Sequence, residues 1–192
     1  MIPRHAYLIE PVGNEYNNTK SIGGIELVIN TTLEDAKFVN RVGVIRFVPE
    51  AYKTLGPKEG DLVVVHHNVF RTYLNIKGKK TKSNEYFRDG LYYVGDNRIY
   101  MYYSHKQWRP LSNTCFVKPV DTVQDSFLHR VEVNEENTGV LRYSNDFLTS
   151  IGINPGDRVG FTKNSEYEFE IEGEKVYRMR NEDICLTITE KQ

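Results

Sequence analysis

The chain has 192 residues, 27% of them charged and 39% hydrophobic, with 25 Lys+Arg against 26 Asp+Glu. That length holds one domain or two small ones, and a net charge of −1 gives no global case for binding nucleic acid or an acidic membrane. No apolar run approaches the roughly 18 residues of a membrane span and no signal-peptide core follows Met1, so a soluble, cytoplasmic protein is expected; Cys115 and Cys185 are too few for a disulfide framework and lack metal-site spacing.

The predicted elements are short, alternating and rich in Val, Ile, Tyr, Phe and Thr, which favours an all-β fold. In chain order they are strands at Ala6–Ile9, Val42–Phe47, Leu62–Val65 and Val69–Ile76, then Val159–Thr162 and Ile184–Ile188. Pro49–Leu55 and Asn145–Ile151 read as single helical turns, with Gly56 and Gly152 just beyond their ends. Glu166, Glu168, Glu170, Glu172 and Glu174 alternate with Tyr167, Phe169 and Ile171, the pattern of a strand with one solvated face. Charge divides the chain: residues 1–120 hold 17 Lys+Arg and 11 Asp+Glu, residues 121–192 hold 8 and 15, which suggests two modules.

The modules repeat. Gly43-Val44-Ile45-Arg46-Phe47 returns as Gly139-Val140-Leu141-Arg142-Tyr143, an offset of 96 that also carries Gly60-Asp61 to Gly156-Asp157 and Val63 to Val159. Leu8-Ile9-Glu10-Pro11-Val12 matches Phe116-Val117-Lys118-Pro119-Val120 at an offset of 108. Ile76-Lys77-Gly78 matches Ile171-Glu172-Gly173 at 95. The first copy therefore has extra residues before its Gly-Val strand, and a Tyr-rich insertion is expected at about 79–107, with Val94–Ile99 as a hairpin turn. Where one copy ends and the next begins is open across Tyr103–Asp121. Cys115–Val117 could end the first, Phe116–Val120 could open the second, or Ile99–Tyr103 could end the first.

The order of features resembles the GroES (chaperonin-10) co-chaperonin family. The residues that carry it are Ala6–Pro11, then Lys20-Ser21-Ile22-Gly23-Gly24-Ile25-Glu26-Leu27, then Gly43-Val44-Ile45 and Glu59-Gly60-Asp61-Leu62-Val63. In the second copy they are Val176-Tyr177-Arg178-Met179 and Glu182-Asp183-Ile184-Cys185-Leu186. The chain departs from the family pattern in three places. A short helical turn, Pro49–Leu55, stands where the family has a roofing hairpin, Glu26 replaces an apolar residue, and copy two has no Gly-Gly-Ile-x-Leu. Tandem copies occur in the chloroplast double-domain co-chaperonins, which usually carry a loop in each barrel, and phage-encoded co-chaperonins are the looser comparison.

The resemblance implies two tandem GroES-like β-barrels, residues 1–112 and 113–192. The first would carry a mobile loop at about 14–32 and the second would lack it. It further implies a co-chaperonin that caps an ATP-driven, GroEL-like chaperonin ring and assists an unfolded client protein. Ile25, Glu26 and Leu27 would bind the chaperonin, Gly23 and Gly24 would give the loop flexibility, and the chains would form a homo-oligomeric ring, a heptamer by preference. From local sequence, Ile25–Ile29 also reads as an ordinary half-buried strand. The competing class is an oligomeric β-barrel scaffold or phage structural protein that does not bind chaperonin.

Nothing points to an enzyme or a cofactor. No P-loop, Gly-x-Ser-x-Gly or His-Glu-x-x-His motif is present. His66-His67 follows a strand, where neighbours point to opposite faces, so no metal is expected there. Lys77, Lys79, Lys80 and Lys82 precede Tyr86, Phe87, Tyr92 and Tyr93, a basic and aromatic mixture that could engage single-stranded nucleic acid. A hairpin whose tyrosines pack on the fold is the favoured reading of that stretch.

Overall fold

The computed structural model describes residues 2–13, 19–22, 25–28, 39–54, 56–125 and 130–188. The described residues are mostly β. In order come β1 Tyr7–Pro11, β2 Thr19–Ile22, β3 Ile25–Val28, β4 Val42–Phe47, β5 Leu62–Val65, β6 Thr72–Leu74, β7 Lys80–Lys82, β8 Tyr86–Arg88, β9 Leu91–Val94, β10 Ile99–Ser104 and β11 Gln107–Pro110. They continue with β12 Thr114–Asp125, β13 Arg130–Tyr143, the helix α1 Asp146–Ser150, β14 Arg158–Phe161, β15 Tyr167–Ile171, β16 Glu174–Arg180 and β17 Ile184–Thr187. Among the described residues no helix is long and apolar enough to cross a membrane.

The chain divides into two compact units, Met1–Gln107 and Trp108–Gln192. The strands of the first form an antiparallel sheet in the order β10-β5-β4-β1-β9-β8, and those of the second a sheet in the order β15-β16-β12-β13-β14-β17. Read from opposite ends, six strands follow the same order in both, with β1, β4, β5, β8, β9 and β10 answering to β12, β13, β14, β15, β16 and β17. Even the irregularities repeat. The β1–β4 ladder shifts register between Leu8 and Ile9, and β12–β13 shifts between Phe116 and Val117. A second shift falls between Ile99 and Met101 on β10 and between Gly160 and Phe161 on β14, across which Ile184 and Leu186 of β17 are the partners.

The Gly-Asp turns show why sequence and structure repeat together. Gly60 and Gly156 sit at φ +89° and +98°, a region that L side chains rarely adopt. Gly60 N–H donates to the Ile45 carbonyl (2.9 Å) and Gly156 N–H to the Leu141 carbonyl (2.8 Å). The following carboxylate, Asp61 or Asp157, accepts from the N–H of Lys58 (2.8 Å) or Asn154 (2.7 Å) and so closes its own turn.

The pairing relocates the extra residues of the first copy. The Tyr-rich stretch expected as an insertion at 79–107 supplies β9 and β10, which answer to β16 and β17 and lie inside the sheet. What copy two lacks is most of the run 66–85, the β6–β7 hairpin included, since only 162–166 separate β14 from β15. The matching tight turn is Asp89-Gly90 (φ 51° and 78°) against Glu172-Gly173 (φ 54° and 79°). Ile76 belongs to neither turn: it is 103% exposed where Ile171 is 4% exposed. Val94–Ile99 is not a hairpin turn either, because β9 pairs with β1 while β10 pairs with β5. In the sheets β10, which holds Ile99–Tyr103, pairs with β5, and β12, which holds Phe116–Val120, pairs with β13.

Each unit buries its own core. Tyr7, Ile9, Ile45, Val63, Phe70, Tyr92 and Met101 fill the first. In the second, Phe116 takes edge-on contacts from Tyr143 (6.2 Å) and Phe169 (5.9 Å) above a cluster that includes Leu141, Leu148 and Met179. Full burial of each such side chain contributes about 1.5–3 kcal/mol before chain entropy is charged.

Helix α1 depends on one side chain. Asn145 accepts from Leu148 N–H (3.0 Å) as N-cap, while its amide donates to the Thr114 carbonyl (2.7 Å) and to Asn181 Oδ1 (2.6 Å). Asn145→Ala removes the N-cap acceptor together with the amide that ties it to Thr114 and Asn181, and is expected to cost about 2–3 kcal/mol. Urea unfolding followed by circular dichroism measures it; a loss below about 0.5 kcal/mol would contradict this role.

Candidate functional site

The segment between β1 and β4 carries the residues that the resemblance implies for binding. β2 and β3 form a two-stranded antiparallel ladder of their own, outside the seven-stranded sheet. Its register sets Thr19 opposite Val28, Lys20 opposite Leu27, Ser21 opposite Glu26 and Ile22 opposite Ile25. Gly23 and Gly24 lie outside the described residues, as do 14–18 and 29–38 of the expected loop and its flank. The described part is thus neither a strand of the large sheet nor an irregular stretch.

A signal for β2 was present in the sequence. Two β-branched residues around a Gly-Gly pair, Ile22-Gly23-Gly24-Ile25, form a two-residue hairpin pattern.

The neck of this segment is fixed. Val12 N–H donates to the Val42 carbonyl (3.0 Å). The Asn40 amide donates to the Val12 carbonyl (2.7 Å), and its Oδ1 accepts from Val42 N–H (2.9 Å). Asn40 is buried, and beside it Val39 is buried too. The second copy handles the same position differently: β12 and β13 run on as one ladder through Asp121↔Asn134 to Asp125↔Arg130.

The two histidines depart from the expectation that they face opposite ways. They follow β5 in a turn, and their rings stack with centroids 4.2 Å apart. His66 Nδ1 accepts from Asn68 N–H (3.0 Å). Burial, aided by His66, Arg41, Arg71 and Arg98, pushes the His67 imidazole down to about 4. Among the described residues no group of three His, Cys, Asp or Glu side chains could hold a metal ion.

That depressed value fixes a pH dependence. Below the ordinary value of 6.5 the unfolded chain takes up a proton that folded His67 refuses until about pH 4. Stability of the first unit therefore falls as pH drops from about 6.5 to about 4, by on the order of 1 kcal/mol after allowance for partial exposure. His67→Gln is expected to flatten that part of the profile of thermal midpoint against pH; an unchanged slope would contradict the assignment.

The basic and aromatic mixture resolves into parts of the fold. Asn75 Oδ1 accepts from Lys77 N–H (2.9 Å) and Lys79 N–H (3.0 Å) in the β6–β7 turn. Tyr92 is fully buried against Phe70 (4.9 Å), and Tyr100 is buried as well. Lys82 Nζ stands 4.6 Å from the Tyr86 ring centre. Neither buried ring is open to stacking by a base.

Around the turn after β5 lies a feature with no sequence motif, a cleft lined by Asn68, Arg71, Tyr73, Ser83, Glu85 and Arg98. Its residues come from the added run and from the link after β9, positions that only the fold brings together. No family model matches the chain, and no curated protein matches it.

Proposed function

We propose that the chain is a co-chaperonin, built as two tandem GroES-like barrels, that caps a GroEL-like chaperonin ring through the β2–β3 hairpin. The observation that carries this reading is the hairpin itself: a separate ladder that includes Ile25 and Leu27, held at its neck by Asn40, and placed between β1 and β4.

The barrel part rests on chain reach. β9 and β10 lie four places apart in the sheet order, about 19 Å across if the sheet were flat. The link between them is a tight 3-10 turn at Asp96–Arg98, in which Arg98 N–H donates to the Gly95 carbonyl at 3.0 Å. A link folded on itself in this way is short for a flat sheet, which supports edges that curl toward each other as in a barrel. Asn181–Asp183 joins β16 and β17 under the same constraint. Matching bonds draw the links onto the sheet, from His66 N–H to the Arg98 carbonyl and from Thr162 N–H to the Asp183 carbonyl, both 2.9 Å.

Ile25 and Leu27 entering an apolar groove would contribute on the order of 3–6 kcal/mol, much of it offset by ordering the segment. Each contact is then weak, and a homo-oligomeric ring of chains, a heptamer in this reading, gains firm but releasable binding through multivalency. Co-sedimentation with a bacterial-type chaperonin, with and without ATP, tests the proposal. ATP-dependent capture is expected; no capture by the chaperonin of its own host would leave an oligomeric scaffold instead.

A further inference from the structure

The run 66–85, much longer than its counterpart 162–166 in the second unit, builds a cleft of about 410 Å³. That volume falls within the range of small-molecule sites. Asn68, Arg71, Tyr73, Ser83 and Glu85 line it from the added run, and Arg98 from the link between β9 and β10.

The charges in the cleft are unevenly matched. Arg98 Nη1 stands 3.6 Å from Glu85 Oε1, and Ser83 Oγ donates to the Val69 carbonyl (2.5 Å). Two atoms are left over: Arg71 Nε, a donor on a cation, and Asn68 Oδ1, an acceptor, are both sealed from solvent without a hydrogen-bond partner. Native proteins match most such buried groups, and leaving one unmatched costs about 1–3 kcal/mol. Two of opposite type in the wall of one cleft describe the ligand that would satisfy them. Arg41, Arg71 and Arg98 also act together on His67, which marks this corner of the first unit as electropositive.

We propose that this cleft binds a small organic anion, with a carboxylate or phosphate on the Arg71 guanidinium and a neighbouring hydroxyl or amino group donating to Asn68 Oδ1. Guanidinium matches either oxyanion through paired N–H bonds. Hydroxy acids and sugar phosphates share this chemistry. The site is independent of the β2–β3 hairpin, so chaperonin binding and ligand binding can fail separately.

Calorimetric and thermal-shift titrations of the full chain with lactate, propionate, glycerol 3-phosphate and inorganic phosphate test it, at ionic strength matched with chloride. Saturable binding of lactate or glycerol 3-phosphate is expected, and which of the two binds identifies the oxyanion. Arg71→Gln should weaken it about tenfold to a hundredfold, the effect of one charged hydrogen-bonding partner. Arg71→Lys, which keeps the charge but loses the fork, should fall between. Asn68→Asp should weaken binding by repulsion and serves if Arg71→Gln does not fold. No saturable response to any probe would overturn the proposal, as would a response undiminished in Arg71→Lys and Asn68→Asp. Propionate binding as well as lactate would overturn the role given to Asn68.

Discussion

Replacing Ile25 and Leu27 together by Asp is expected to abolish ATP-dependent capture by a chaperonin ring while leaving the fold intact. The apolar contribution of about 3–6 kcal/mol per chain disappears, and each carboxylate adds the cost of entering an apolar groove unpaired. Because a ring multiplies contacts, losing the contact in every chain removes avidity as well. The hairpin lies outside the seven-stranded sheet, so the thermal midpoint should stay near that of the parent. Pull-down with and without ATP, alongside a melting curve, reads both. Retained capture would sink the role given to these two residues, and a collapsed melting curve would mean that they support the fold instead.

The second large effect is expected at Gly139. A Cβ built there meets Val117 Cγ1 at 2.4 Å and the Lys118 carbonyl oxygen at 2.7 Å, and the carbonyl belongs to backbone that cannot step aside alone. Gly43 answers to it in the first unit, with Ile9 Cγ2 at 2.5 Å and the Glu10 carbonyl at 3.0 Å. Gly139→Ala should therefore cost about 3 kcal/mol, at the upper end for overpacking. Gly43→Ala should cost somewhat less, since its closest neighbours are side chains. Denaturant unfolding of each variant, read by the aromatic near-ultraviolet signal, gives both values. A loss under about 1 kcal/mol at Gly139 would show that the two strands can part without penalty.

These glycines also explain how much could be read from the sequence. Val42–Phe47 and Leu62–Val65 were predicted with the bounds they have, because Gly43 and the Gly60-Asp61 turn frame them. The offset of 96 survived in both copies because Gly43, Gly60 and Asp61 each satisfy a backbone demand that no other residue meets as well. The closing strands were harder. Val94 answers to Met179, both fully buried yet of different type. Ile76-Lys77-Gly78 then offered a false match, while the true one, an acidic residue before Gly90 or Gly173, is too short to stand out. The Arg71 cleft was illegible for another reason, since its residues meet only after the added run folds back toward Arg98.

Two ion-pair arrangements bear on how a duplicated chain assembles. In the first unit Glu10 on β1 meets Arg46 on β4 at 2.6 Å. In the second the corresponding strand carries Lys118, and Glu174 bridges it (3.2 Å) and Arg142 (2.8 Å). Those two hydrogen bonds, from Arg142 first and Lys118 second, hold the Glu174 carboxyl below its usual range. Two sheets of one topology invite their opening strands to exchange during folding, the characteristic error of repeated domains. Here the exchange is discouraged at this position. β12 laid against β4 would set Lys118 beside Arg46, a repulsive pair, and β1 laid against β13 would set Glu10 beside both Arg142 and Glu174. Each pair is exposed and contributes little to stability by itself. As a difference between correct and crossed pairing, the attraction of Glu10 for Arg46 becomes the repulsion of Lys118 from Arg46. Divergence of a single charge thus gives each copy a means of recognising its own first strand.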